Sequence, residues 1–255
     1  MGHQDIFQRA SFAHVCGDSI IAAIAGLALY ASFPPVGWWW LSVPALALYL
    51  SRIDEARAPR ALTVTFVFGM SLWVPLIDWI PLAVGSTPPW FVLSFVQTLF
   101  LMAWVLFARW TQLWAWARGP LMQALLFALT WAGVDAARSR WPWSGFPWGS
   151  VALPQVDSPL GRLAPYGGTT LITAVVVFLA VLVRRAFAAR DAAGVREHWF
   201  SRPAMALIVA AAYVAPLAIS LPNQAENGML RVGVVQGDIA LPGAEAYSRE
   251  GEVTD

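Results

Sequence analysis

Apolar positions in this chain do not alternate with polar ones. They run on in blocks, at residues 19–33, 37–50, 61–80, 90–107, 120–137, 166–183 and 203–221. A strand with one wet face alternates with period two, as do the strands of a membrane barrel. Unbroken apolar blocks are instead helices that meet lipid. The longer blocks approach the ~20 residues a helix needs to cross a hydrocarbon core. The first two are shorter, and Pro34, Pro35 and Gly37 break them apart. They form either two short spans or one re-entrant hairpin. The pattern predicts an all-α polytopic membrane protein with about seven transmembrane helices, lacking the internal repeat that transporters carry.

One segment interrupts the blocks. Residues 138–168 are neither continuously apolar nor a simple charged loop. Pro142, Pro147, Pro154 and Pro159 fix φ and remove backbone donors there, so no regular helix passes through. Trp141, Trp143, Phe146 and Trp148 crowd the same stretch. Tryptophan collects where an apolar side meets a wet one, so a structured loop on a membrane face is expected. Pro147 holds Phe146 extended, and two residues on, Trp148 should point to the same side. Further along, residues 229–236 alternate and are rich in valine, the signature of a β-strand, with Gly237-Asp238 as a turn. A lone strand cannot bury its faces, so this is either a tail or the start of another domain. The chain divides into a helical domain, 1–224, and that short beginning, 225–255.

Composition agrees with the pattern: 12% of residues are charged, half of the ~25% usual in soluble domains. Every basic residue is arginine, and their placement orients the chain. With the N-terminus inside, eleven arginines share the cytoplasmic side: Arg9, Arg52, Arg57, Arg60, Arg109, Arg118 and five from Arg184 to Arg202. The loops at 33–37 and 81–89 have none, and the tryptophan-rich loop has three, Arg138, Arg140 and Arg162. The positive-inside rule gives N-in and C-out, with the tryptophan-rich loop and the C-terminal segment together on the outer face. Arginines scattered between apolar blocks make no nucleic-acid surface. The single cysteine, Cys16, excludes an internal disulfide, and His3, His14 and His198 lie apart, so no metal or cofactor is expected.

Three ionisable residues lie within or at the ends of apolar spans: Asp78, Asp135 and Arg138. Such groups are functional by default, although those near span ends also reach the interface. Asp135 and Arg138 stand three apart, the spacing of a pair on one helix face. Structural pairing is the favoured reading, with positioning of a lipid headgroup as the alternative.

Four stretches resemble the apolipoprotein N-acyltransferases. F-G-M-S-L-W-V-P-L-I-D-W-I (68–80) is similar to that family's third span, with Trp79 at its outer end. W-A-G-V-D-A-A-R (131–138) resembles its W-x-x-x-E-x-x-R, with Asp135 in place of glutamate. S-G-F-P-W-G (144–149), followed by Q-x-D-S-P-L and L-A-P-x-G-G, resembles its most characteristic loop. V-G-V-V-Q-G-D-I (232–239) is similar to the first strand of its αββα nitrilase-like catalytic domain. Asp78 departs from the family, where a polar amide is common. The resemblance implies a multi-pass protein of the bacterial inner membrane that moves an acyl chain from a phospholipid donor to a lipidated apolipoprotein. The acceptor is the N-terminal diacylglyceryl-cysteine, and the acyl chain travels as a thioester on the cysteine of a Glu-Lys-Cys triad. It also implies that Asp78, Trp79, Asp135, Arg138, Phe146, Pro147 and Trp148 line or support the lipid entry without being catalytic. This chain has no lysine, and Cys16 precedes the first span on the cytoplasmic side. It therefore lacks the triad, and a catalytic domain truncated after its first strand is expected. The rival readings are a non-catalytic anchor or scaffold for a partner enzyme and, less favoured because its charges sit at span ends, a transporter.

Overall fold

The computed structural model describes residues 3–54, 56–114, 116, 119–188, 202–220 and 231–234. Regular structure among them is entirely helical: α1 (His3–Tyr30), α2 (Ser42–Ile53), α3 (Ala58–Leu76), α4 (Ile80–Val84), α5 (Pro88–Thr111), α6 (Pro120–Arg138), α7 (Ala164–Ala188) and α8 (Arg202–Val214). Proline opens α3, α5 and α6 in their first turn, where the missing N–H has no intrahelical partner to lose. Non-helical backbone at Gly167 and Gly168 kinks α7 near its start.

Three described helical segments are long and apolar enough to cross a membrane: Ala58–Leu76, Pro88–Thr111 and Pro159–Phe187. The apolar parts of α1 and α8, His14–Tyr30 and Ala206–Ala218, are shorter. The helix of the first block is longer than the block itself, reaching back through Asp18 to His3. α2, by contrast, has only 12 residues. Of the expected strand at 229–236, residues 231–234 are described and form no ladder; its remainder and the Gly237-Asp238 turn lie outside the described residues.

The helices close into a ring. α1 packs on α3, α3 on α5, α5 on α6, α6 on α7, α7 on α2 and α2 back on α1, with α8 against α7 outside it. Aromatic side chains fill the middle. Tyr49 of α2 stacks on Phe68 of α3 with ring centroids 4.0 Å apart, and Trp104 of α5 meets Trp131 of α6 at 4.6 Å. The Tyr49 hydroxyl has a partner even here, Thr65 Oγ1 at 2.8 Å, as a buried polar atom requires. α1 and α3 approach so closely at Gly26 that a β-carbon there would lie 2.5 Å from the Phe68 carbonyl oxygen. Small residues at such crossings let helix backbones meet without a hydrophobic drive between them.

The two ends of the ring differ chemically. At one end Asp18 of α1 pairs with Arg60 and Arg52, and Asp54 pairs with Arg184 of α7. There too Arg109 donates to the Ile53 carbonyl and Arg185 to Gln123 Oε1. At the other end lie the turn from α1 to α2, the α3–α4 corner, the C-terminus of α6 and the irregular segment that leads to α7.

Candidate functional site

The irregular segment begins where α6 stops. Phe146 N–H donates to the Arg138 carbonyl at 2.9 Å, closing residues 139–145 into a loop over the helix end. The loop turns through three successive left-handed residues, Trp143, Ser144 and Gly145, at φ 46°, 78° and 76°. Left-handed backbone in a tryptophan is a conformation that only surrounding structure can impose. Past Ala152 the chain coils into two 3-10 turns, Leu153–Asp157 and Pro159–Leu163, with Pro154 and Pro159 each in a first turn.

Arg138 organises this segment. Its side chain is 4% exposed and its Nη2 donates to Asp135 Oδ1 at 2.5 Å. Its Nη1 reaches three acceptors: the Trp148 carbonyl at 2.7 Å, the Phe146 carbonyl at 2.9 Å and Gln97 Oε1 of α5 at 3.3 Å. The guanidinium also lies 4.9 Å from the Trp73 ring centroid, a cation–π contact with α3. Asp135 in turn accepts from Ser150 Oγ at 2.7 Å and from Thr173 Oγ1 of α7 at 3.5 Å. One ion pair therefore ties α3, α5, α6, α7 and the loop together. One guanidinium therefore holds the carbonyls of both Phe146 and Trp148. Gly149, at φ 72°, lets the chain pass beside Trp73: a β-carbon there would lie 2.3 Å from that ring.

A second buried group fixes the rest of the segment. Gln155, 0% exposed, donates through Nε2 to Ser42 Oγ at 3.0 Å and to the Trp39 carbonyl at 3.3 Å. Its Oε1 accepts from Ser158 Oγ at 2.8 Å. Arg162 donates to the Leu217 and Ile219 carbonyls, fastening the segment to the end of α8.

Held this way, the loop walls an open cleft of about 660 Å³, within the size range of ligand pockets. Tyr30, Phe33, Pro34 and Pro35 line it from the end of α1; Pro75, Leu76, Asp78 and Trp79 from the α3–α4 corner; and Trp148, Gly149 and Leu153 from the loop. Trp79 and Trp148 meet on its lining, centroids 5.6 Å apart and planes 59° apart.

The residues singled out in the sequence thus fall into two groups. Asp135 and Arg138 form the buried pair, while Asp78, Trp79 and Trp148 line the cleft. Of Phe146 and Trp148, Phe146 packs against the core, while Trp148 is 53% exposed and lines the cleft. Gln97, Ser150, Gln155 and Thr173 were not anticipated. Gln97 and Thr173 carried the same signal as Asp135, a polar group inside an apolar block; Gln155 opens the Q-x-D-S-P-L stretch that resembles the family, and Ser150 had no signal beyond its place in the loop.

The family model of the apolipoprotein N-acyltransferase N-terminal domain matches residues 25–182, a range that contains the ion pair, the loop and every residue lining the cleft. The chain belongs to this family. An apolipoprotein N-acyltransferase of Pseudomonas putida is 28% identical over 235 residues, covering 87% of this chain and 44% of that protein. One of Photobacterium profundum is 26% identical over 238 residues, covering 88% and 43%. One of Mycolicibacterium smegmatis is 40% identical over 88 residues, covering 33% and 14%. The chain spans less than half the length of these curated relatives. Together with its long apolar helices, the N-acyltransferase family fits a bacterial membrane protein.

Proposed function

We propose that this chain is the membrane domain of an apolipoprotein N-acyltransferase, and that its cleft receives an acyl chain of the phospholipid donor. The acyl group then passes, through a thioester, to the α-amino group of a lipoprotein's diacylglyceryl-cysteine. The observation that carries the reading is the cleft itself, lined mostly by apolar and aromatic side chains and lying wholly within the residues that the family model matches. It opens at the end of the ring opposite Arg52, Arg60 and Arg184, the arginines paired with Asp18 and Asp54. With those arginines cytoplasmic, the cleft meets the outer leaflet, where acyl transfer to an exported lipoprotein takes place. In this reading all seven apolar blocks belong to the membrane body, N-in and C-out, in the inner membrane. The residues 225–255 lead into a nitrilase-like domain on the outer face.

Acyl transfer through a thioester needs a thiolate, a base to generate it and donors for the tetrahedral oxyanion. This chain has no lysine, and its one cysteine, Cys16, is exposed on α1, before the first apolar block and far along the chain from the loop. Its contribution is therefore to bind and orient lipid, and the triad comes from outside these 255 residues. The test is direct. Incubated with phospholipid and a diacylglyceryl-cysteine peptide, the chain alone forms no acyl thioester and transfers nothing. Joined to the C-terminal half of the Pseudomonas putida relative, it transfers the acyl group. A folded, inserted fusion that stays inactive favours the scaffold reading instead.

A further inference from the structure

The cleft is not uniformly apolar. Asp78 sits on its wall, in the turn between α3 and α4, and is the one charged side chain among its lining residues. No described residue donates to it or pairs with it. Three other described carboxylates behave differently, since Asp18, Asp54 and Asp135 each hold an arginine; Asp157, exposed in the first 3-10 turn, lies outside the cleft. Beside Asp78 the Trp79 and Trp148 rings meet at 59° with centroids 5.6 Å apart, forming an aromatic corner. Tyr30 adds a further ring to the lining.

A free carboxylate next to an aromatic corner recognises one class of ligand. The carboxylate supplies charge and accepts hydrogen bonds, and the ring faces attract a cation within about 6 Å of a centroid. Apolar walls around them exclude a free, fully hydrated ion and favour a cation attached to an apolar body. We propose that Asp78, Trp79 and Trp148 form a binding site for a primary ammonium group carried on a lipid-modified molecule, so that the cleft selects its ligand by head as well as by chain. The inference rests on the cleft being a lipid site. Two sources share the chemistry: the ethanolamine head of a phospholipid donor, and the α-amino group of a diacylglyceryl-cysteine acceptor.

The experiment uses the 255-residue chain in nanodiscs holding equal amounts of dioleoyl phosphatidylethanolamine and dioleoyl phosphatidylglycerol. Retained lipid is counted by mass spectrometry for the natural chain and for Asp78→Asn, Asp78→Glu and Leu153→Trp, the last filling the cleft. A second arm measures binding of a diacylglyceryl-cysteine peptide with its amine free or acetylated. Thermal melting controls for folding, which Asp78→Asn leaves unchanged because the side chain is exposed and bonds to no described residue. The expected result is retention of the ethanolamine lipid over the glycerol lipid by about tenfold, the ratio that ~1.4 kcal/mol gives. Asp78→Asn abolishes the preference and Asp78→Glu keeps most of it. If headgroup preference is absent but the free-amine peptide binds in an Asp78-dependent way, the site stands and its ligand is the acceptor. If neither arm depends on Asp78 while Leu153→Trp still expels lipid, the ammonium site is overturned and the lipid cleft survives. If Leu153→Trp expels nothing, the lipid cleft falls, and this inference with it.

Discussion

Arg138 presents a rigid fork of N–H donors, and its two terminal nitrogens reach a carboxylate, a buried amide and two loop carbonyls. Removing it leaves the buried Asp135 without its ion-pair partner. Breaking one side of a buried pair costs about 3–5 kcal/mol, so Arg138→Ala lowers the thermal midpoint sharply in detergent. Arg138→Lys rescues only part of the loss, because a single ammonium cannot reproduce the fork. The glycines give a sharper contrast. At Gly149 a methyl group meets the Trp73 ring in left-handed backbone, so Gly149→Ala costs about 1–3 kcal/mol from overpacking alone. At Gly133, in the middle of α6, a methyl group meets nothing within 4 Å. Gly133→Ala therefore stabilises by about 0.5–1 kcal/mol. Parallel melting curves of the two variants check both signs.

Among elements, the loop between α6 and α7 separates two kinds of tryptophan. Trp73 beneath it is 1% exposed, so Trp73→Ala costs roughly 3–5 kcal/mol and reduces the folded protein in the membrane. Trp148 presents half its surface to the cleft and touches Trp79. Trp148→Ala consequently leaves folded protein near normal, but lowers acyl transfer per folded molecule in the fusion with a catalytic half, because small misplacements of a reacting group are expensive in rate. Equal transfer per folded molecule in Trp148→Ala and the parent makes the loop mere packing. The four prolines and the crowded aromatics made this loop legible in the sequence as structured and aromatic-walled. Its internal wiring was not legible. That Arg138 would hold the carbonyls of Phe146 and Trp148 depends on the left-handed turn at 143–145, and no local rule places a tryptophan there.

At the scale of the whole molecule, one end of the ring is fastened by the Asp18 and Asp54 ion pairs and the other is opened by a cleft. The apolar blocks made the helical class legible, because continuous hydrophobicity has few other solutions in lipid. The closing of α2 onto both α1 and α7 was not legible, since a 12-residue helix gives no period long enough to reveal its neighbours. With the arginines cytoplasmic, a reporter fused after Asp255 is active only outside; activity only inside reverses the orientation and takes the cleft away from the outer leaflet. The central claim is that the cleft, and not the general lipid-facing surface, takes the acyl chain. A phosphatidylethanolamine with a diazirine on its acyl chain, photolysed in membranes holding this chain, tests it directly. Crosslinks concentrated at residues 30–35, 75–79 and 148–153, and lost in Leu153→Trp, are the predicted result. Crosslinks spread along the outward faces of α3 and α5, with none enriched in the cleft, contradict it.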